Sequence, residues 1–201
     1  MFKTNVSRPE AQEAAEDIFF GQITIIWARW FLIAAGMIIA VLSTVDMFQL
    51  TIAILTVIVL MTINFAMHGR YLTGKPANMF LLLATNLADT LIITFLVLTW
   101  NGASGLNSQF FILYYPMLFA FALVFPPSVA ILYTVLTLIL YTTVCLITSD
   151  PQLIFSITGF ELLAMRLITL SAMGGLGTYY YRRQRQAWRA LTAAGSLPAW
   201  K

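Results

Sequence analysis

Residues 21–43, GQITIIWARWFLIAAGMIIAVLS, form an unbroken apolar run that contains one charged side chain, Arg29. A helix needs roughly 20 mostly apolar residues in succession to cross the hydrocarbon core of a bilayer. The run meets that length, so it predicts a transmembrane helix. The residues before it are polar and acidic, so we expect no cleaved signal peptide and expect this helix to be retained.

The composition of the whole chain agrees with this run. Of the 201 residues, 60% are hydrophobic and 9% are charged, whereas soluble domains average about 25% charged residues. So few polar residues cannot cover a water-soluble core, which excludes a soluble enzyme. The single cysteine, Cys145, excludes a disulfide framework or a thiolate metal cluster built from this chain alone.

Charges and turn-forming residues divide the rest of the chain into further apolar runs. The predicted spans are 21–43, 49–67, 78–100, 110–125, 128–148 and 159–181. The sequence therefore predicts an all-α, polytopic membrane protein with six transmembrane helices. Its parts are a cytoplasmic amphipathic segment at 1–20, a six-helix transmembrane domain at 21–181 and a basic cytoplasmic tail at 182–201. Within the first part, Pro9 and the acidic residues after it predict a short surface helix at 9–20.

The positive charges predict the orientation. Of the 11 lysines and arginines, all but Arg29 and Arg166 lie outside the spans and on the same side of them. They are Lys3, Arg8, Arg70, Lys75, Arg182, Arg183, Arg185, Arg189 and Lys201. Because cytoplasmic loops collect Lys and Arg, both termini are predicted to be cytoplasmic, in a bacterial cytoplasmic (inner) membrane. The charges lie between apolar runs and form no basic stripe with interleaved polar groups, so no nucleic-acid partner is expected.

Ionisable side chains inside the spans are the first candidates for a functional site. At 1.5 Å per residue, Asp89 lies deep enough to reach either Arg29 or Arg166. Asn86 lies one turn before Asp89, and Asn64 of the second span can offer an amide to the same cluster. Two interpretations remain open for this cluster: an interhelical polar clamp that fixes packing, or a ligand or proton site. Arg29 could also extend its charge to the interface.

Catalytic patterns are missing from the sequence. There is no Gly-rich phosphate loop, no Ser-His-Asp set and no HExxH, and the loops are too short for a folded catalytic domain. We therefore expect a chain that is not an enzyme and that binds no metal.

Two further features concern packing: Pro116 predicts a kink in the fourth span, and the glycines of 171–177, SAMGGLG, predict close packing of the sixth.

Residues 86–125, NLADTLIITFLVLTWNGASGLNSQFFILYYPMLFAFALVF, form a more specific pattern than hydropathy. An aspartate lies mid-membrane in the third span, a Gly-containing outer loop follows, and an aromatic-rich fourth span begins at a phenylalanine. This pattern resembles the six-span N-terminal membrane sensor of bacterial histidine kinases of the redox, quinone-responsive type. The positions that match are Asp89, Gly105, Leu106, Ser108 and Phe110. Arg29-Trp30 and Asn64 are also similar to that family's pattern, and the resemblance covers about 22–190.

The resemblance implies a function in signalling. It implies that the five matching positions bind a small lipophilic ligand, with a quinone as the candidate, although the residues alone indicate no cofactor. It also implies that the sixth helix and the basic tail act on a membrane or cytoplasmic protein partner. Since no kinase domain follows the sixth span in this sequence, we expect a non-catalytic, sensor-like module. The alternatives are a structural accessory subunit of a larger respiratory or photosynthetic membrane complex and, with weaker support, a small transporter.

Overall fold

The computed structural model describes the backbone of residues 8–43, 46–73, 78–100 and 104–193, and within these ranges the side chains of 21–186. All regular structure in the described ranges is helical, which confirms the all-α prediction. The α-helices are α1 (Arg8–Ser43), α2 (Met47–Leu72), α3 (Met79–Thr99), α4 (Tyr114–Val124), α5 (Pro127–Thr148), α6 (Pro151–Ile154) and α7 (Ile157–Ala193). Short 3₁₀ turns cover Gly105–Asn107 and Phe110–Leu113.

Five of the helices are long and apolar enough to cross a membrane, which is consistent with an α-helical, multi-pass membrane protein. Their spanning parts are Gly21–Ser43, Met47–Leu72, Met79–Thr99, Pro127–Thr148 and Ile157–Gln186. Five of the six predicted spans coincide with these helices.

The fourth predicted span is the exception because its helix is short. The segment begins with the 3₁₀ turn Phe110–Leu113 and becomes α-helical only at Tyr114. At about 1.5–2.0 Å per residue, Phe110–Val124 covers roughly 25 Å, less than the hydrocarbon thickness of about 30 Å. Pro116 explains the late start, since its nitrogen cannot donate to the carbonyl four residues earlier. The proline therefore lies in the first turn of α4, where a missing N–H costs little, and the predicted kink is replaced by this change of helix type.

The ends of two other helices differ from the sequence prediction. The helix expected at 9–20 is not a separate element, because α1 runs without a break from Arg8 into the first span. α2 continues past position 67 to Leu72. Both extensions add turns at the end of the bundle that is predicted to be cytoplasmic. At the opposite end, Asp46 caps α2 by accepting a hydrogen bond from the Gln49 amide at 2.8 Å.

Close packing around α4 holds the bundle together. α4 contacts α1 on one side and α7 on the other. A Cβ atom added to Gly177 of α7 would lie 2.6 Å from the Cβ of Ala122, and one added to Gly174 would overlap Thr134 of α5. Gly175 faces open space. Two of the glycines of the sixth span therefore allow close helix packing, as the sequence predicts.

Candidate functional site

A buried ion pair joins α1 to α3 in the middle of the bundle. Arg29 Nη2 lies 2.7 Å from Asp89 Oδ1, and the two side chains are 4% and 1% exposed. Asp89 lies halfway along Met79–Thr99 and Arg29 lies in the first half of Gly21–Ser43, and both are buried inside the bundle. A charge at this depth is costly unless it is paired, so the contact binds the two helices to each other.

The guanidinium of Arg29 has further donors. Its Nε and Nη1 atoms are buried and have no hydrogen-bond partner among the described residues. An arginine side chain offers five N–H donors, and leaving a buried donor unpaired costs about 1–3 kcal/mol. Arg29 therefore has two nitrogen atoms whose donor capacity the described residues leave unused.

The two asparagines of the predicted cluster bind backbone atoms and not the ion pair. Asn86 donates from Nδ2 to the carbonyl of Leu82 at 2.8 Å, within α3. Asn64 donates from Nδ2 to the carbonyl of Ile26 at 3.4 Å and so connects α2 to α1. Their role is to fix the helix backbones next to the ion pair.

Arg166 belongs to a second cluster and does not reach Asp89. Its Nη1 donates to the hydroxyl of Tyr141 at 2.7 Å and to the carbonyl of Ser108 at 3.5 Å. The guanidinium carbon lies 3.8 Å from the ring centroid of Phe111. The polar clamp expected from the sequence is thus divided: Arg29 pairs with Asp89, while Arg166 connects α7 to α5 and to the segment before α4.

The segment 104–109 contains no α-helix, and Gly105, Leu106 and Ser108 are buried against the rest of the bundle. Gly105 has a φ of +58°, and a Cβ atom there would overlap the hydroxyls of Thr148 and Ser149. The Leu106 amide donates to Ser149 Oγ at 2.9 Å. Irregular backbone is tolerated at membrane depth only where protein groups satisfy it. The end of α5 and Arg166 satisfy this segment, and only glycine fits at the turn.

A small apolar cavity of about 30 Å³ lies beside the 3₁₀ turn Phe110–Leu113, which follows this segment. It is bounded by α1, α2, α3 and the 3₁₀ turn Phe110–Leu113. Its lining residues are Leu32, Ile33, Gly36, Ala40, Ala53, Thr56, Val57, Leu60, Ile92, Ile93, Leu96, Trp100, Phe110 and Leu113. The rings of Trp100 and Phe110 pack with centroids 4.7 Å apart.

The cavity lies directly above the ion pair. Ile33 and Ile93 line the cavity. Ile33 follows Arg29 by four residues and Ile93 follows Asp89 by four, so each lies one helical turn further along the same helix face. Of the five positions implied to bind a ligand, Phe110 lines the cavity and Asp89 lies one turn below it. The other three, Gly105, Leu106 and Ser108, anchor the segment behind the cavity wall.

A row of hydroxyls on α3 was not singled out in the sequence. Thr90 Oγ1 hydrogen-bonds Tyr133 of α5, and Thr94 Oγ1 lies 2.7 Å from the hydroxyl of Tyr114. Asn86, Thr90 and Thr94 recur every fourth residue, so they share one face of α3. That spacing is visible in the sequence and could have identified the face that binds α4 and α5.

Comparison with known proteins gives no relative. The chain matches no protein-family model, no curated protein and no solved structure. The resemblance to a sensor module therefore stays a prediction. The described residues include no group of three or more His, Cys, Asp or Glu side chains that could hold a metal ion.

The quinone that the resemblance implies can be compared with the cavity. The walls of the cavity suit hydrocarbon, whereas Arg29, the nearby donor of hydrogen bonds, is not among the lining residues. The volume of about 30 Å³ is nevertheless far below that of a cavity that binds benzene, which is on the order of 150 Å³. A quinone ring does not fit between the walls as they stand, so no step is assigned to a quinone.

Proposed function

We propose that the chain is a non-catalytic, sensor-like integral membrane module. A small lipophilic ligand enters the cavity between α1, α2 and α3, and α7 passes the response to a partner protein. The observation that supports this proposal is the position of the 3₁₀ turn Phe110–Leu113. The turn has the cavity on one side and Arg166 of α7 on the other.

The ligand half of the proposal rests on the shape and chemistry of the cavity. At Gly36, a Cβ atom would lie 3.4 Å from Leu113 Cδ1, so the missing side chain provides part of the space. Apolar walls favour a hydrocarbon part of the ligand. A carbonyl or another acceptor at the end of the ligand is directed toward the unused donors of Arg29, one turn below the lining. A ligand larger than the cavity displaces the wall, and the 3₁₀ turn is the part of the wall without α-helical hydrogen bonds to hold it.

The second part of the proposal, transmission of the response to α7, depends on the contacts of Arg166. Phe110 lines the cavity, while Phe111, the next residue, lies under the guanidinium of Arg166. The carbonyl of Ser108, at the start of the same segment, accepts a hydrogen bond from that guanidinium. Movement of the turn therefore changes the contacts of Arg166. α7 is one helix from Ile157 to Ala193, so a shift at Arg166 is transmitted along a rigid element.

For the arrangement of the spans and termini in the membrane, we propose the one that the sequence predicts. The short segment at 110–125 completes six spans together with the buried loop before it, and both termini face the cytoplasm of a bacterial inner membrane. The partner, a membrane or cytoplasmic protein, binds the end of α7 and the basic tail beyond Arg185. Residues 194–201 of that tail lie outside the described part of the chain.

Ligand binding is tested with a benzoquinone that carries one isoprenoid unit as the probe. Its effect on the unfolding temperature of the purified protein is measured at constant detergent concentration. Gly36→Leu fills the cavity and should abolish the stabilisation, whereas Gly175→Leu adds the same side chain on the open face of α7 and should preserve it. A ligand that binds only the folded state stabilises by RT ln(1 + [L]/Kd), so the wild-type shift should saturate with concentration.

An equal shift in wild type and Gly36→Leu would refute the ligand site, because it would show partitioning into the micelle. The accessory-subunit hypothesis makes a different prediction. Purification in mild detergent would then recover the chain in a stable complex with cofactor-bearing subunits, and the probe would have no effect on either variant.

A further inference from the structure

The end of α7 concentrates positive charge where its apolar part stops. Arg182, Arg183 and Arg185 are all exposed, and the helix continues through them without a break. No acidic residue follows Glu161 anywhere in the sequence. The last carboxylate of α7, Glu161, precedes Arg182 by 21 residues, or about 30 Å of helix, so it lies at the far end of the apolar part.

The position of these arginines along α7 corresponds to the headgroup layer. A stretch of 20 residues, 162–181, covers about 30 Å of helix, which equals the thickness of the hydrocarbon core. Arg182 is the first residue beyond that stretch. The polar layer adds roughly 5–8 Å on each side of the core, and the rise from Arg182 to Arg185 is about 5 Å. All three arginines thus fall within the layer that contains the lipid phosphates.

Tyrosines one turn earlier hold two of the arginines. The Nε of Arg183 donates to the hydroxyl of Tyr179 at 3.1 Å, and the guanidinium carbon of Arg185 lies 5.3 Å from the ring centroid of Tyr181. Helical side chains lean toward the N-terminus of the helix, here back toward its apolar part. The bond from Arg183 uses Nε, so its two Nη groups can form the bidentate pair that guanidinium makes with phosphate.

We propose that this surface, formed by Tyr179, Tyr181, Arg182, Arg183 and Arg185, binds the phosphates of anionic glycerophospholipids. The tyrosine rings occupy the boundary of the hydrocarbon core, where amphipathic rings are preferred. The arginines lie just beyond them and supply the charge that an anionic headgroup complements. A lipid is the occupant that meets both halves of the surface at once, since its acyl chains continue along the apolar face of α7. This inference does not depend on the ligand cavity.

The test measures which lipids remain with the full-length protein. The purified protein is equilibrated in micelles that contain equal amounts of phosphatidylglycerol and phosphatidylcholine with identical acyl chains, and the retained lipids are quantified by mass spectrometry. We expect wild type to enrich phosphatidylglycerol. The triple variant Arg182→Gln, Arg183→Gln, Arg185→Gln should lower the enrichment at least about fivefold, since one basic residue near a charged surface contributes about 1 kcal/mol.

Two comparisons decide the interpretation. The variant Lys3→Gln, Arg8→Gln, Arg70→Gln removes the same number of charges elsewhere and should lower the enrichment by less than twofold. If it lowers the enrichment as much as the first triple variant, or if neither variant changes it, the proposed surface is refuted. Inorganic phosphate is then added and compared with chloride of equal ionic strength. If phosphate alone abolishes the enrichment, the surface recognises a free anion and the lipid proposal is also refuted.

Tyr179→Phe separates positioning from charge. It removes the hydroxyl that accepts from Arg183 and keeps every charge. We expect a smaller loss of enrichment than in the arginine variant, with the unfolding temperature unchanged. An unchanged enrichment would contradict the role given to the tyrosine–arginine contact.

Discussion

Removal of Asp89 is the most informative single change to the bundle. In Asp89→Ala, Arg29 loses its hydrogen-bond partner, while its Nε and Nη1 already have none among the described residues. The guanidinium would then be buried, charged and unpaired between α1 and α3. We expect Asp89→Ala to be strongly destabilising and Arg29→Leu combined with Asp89→Ala to recover much of the loss.

The expected loss in the free energy of unfolding follows from the burial of both side chains. Removing one partner of a buried ion pair costs about 3–5 kcal/mol, whereas interhelical hydrogen bonds in membranes contribute about 0.6 kcal/mol on average and at most about 1.7 kcal/mol. Asp89 and Arg29 are both almost fully buried, so the first range applies. The coupling energy between them should therefore exceed about 2 kcal/mol, well outside the range of ordinary polar packing.

The assay is equilibrium unfolding in mixed micelles with increasing sodium dodecyl sulfate, which gives the free energy of unfolding for each variant. Arg166→Leu combined with Asp89→Ala is the matched control, because Arg166 contacts Tyr141 and Ser108 instead of Asp89. That double variant should lose stability additively. Recovery with Arg166→Leu, or no recovery with Arg29→Leu, would refute the assignment of the pair.

Three further changes test the packing. Gly105→Ala should destabilise by about 1–3 kcal/mol in the same unfolding assay, because a left-handed φ is costly for alanine and its Cβ has no room. The control is Gly69→Ala, within α2 and with open space around it, which should be neutral or stabilising. Equal effects of the two variants would contradict the explanation. Gly177→Ala should lower the unfolding temperature while Gly175→Ala does not, since only Gly177 touches α4. A larger loss in Gly175→Ala than in Gly177→Ala would contradict the packing of α7 against α4. Thr94→Val should cost about 0.6 kcal/mol through loss of one interhelical hydrogen bond, and a cost above about 2 kcal/mol would indicate a role beyond packing.

Depth along a helix could be predicted from the sequence, but lateral position could not. Counting residues placed Arg29, Asp89 and Arg166 at depths that allow contact. Which arginine pairs with Asp89 depends on which helices are neighbours, and hydropathy contains no information about that. The structure places α3 beside α1 at this depth, and α7 beside α4 and α5.

The buried segment before α4 was the least predictable part of the molecule. Its composition, with Gly105 and Ser108, is typical of a surface loop, so the sequence predicts an outer loop followed by a full span. The structure packs this loop against the end of α5, where Ser149 and Arg166 satisfy its backbone groups. Those two partners are more than 40 residues away in the chain, and no local pattern relates them to the segment.

The most direct test of the central claim measures whether occupation of the cavity moves α7. Spin labels at Gly69→Cys and Gln186→Cys, in a Cys145→Ser background, report the distance between the ends of α2 and α7 by double electron–electron resonance. The benzoquinone probe should shift this distance in the labelled protein and leave it unchanged when Arg166→Leu is added. An unchanged distance in the first case, or an equal shift in both, would contradict the proposal that Arg166 connects the cavity to α7.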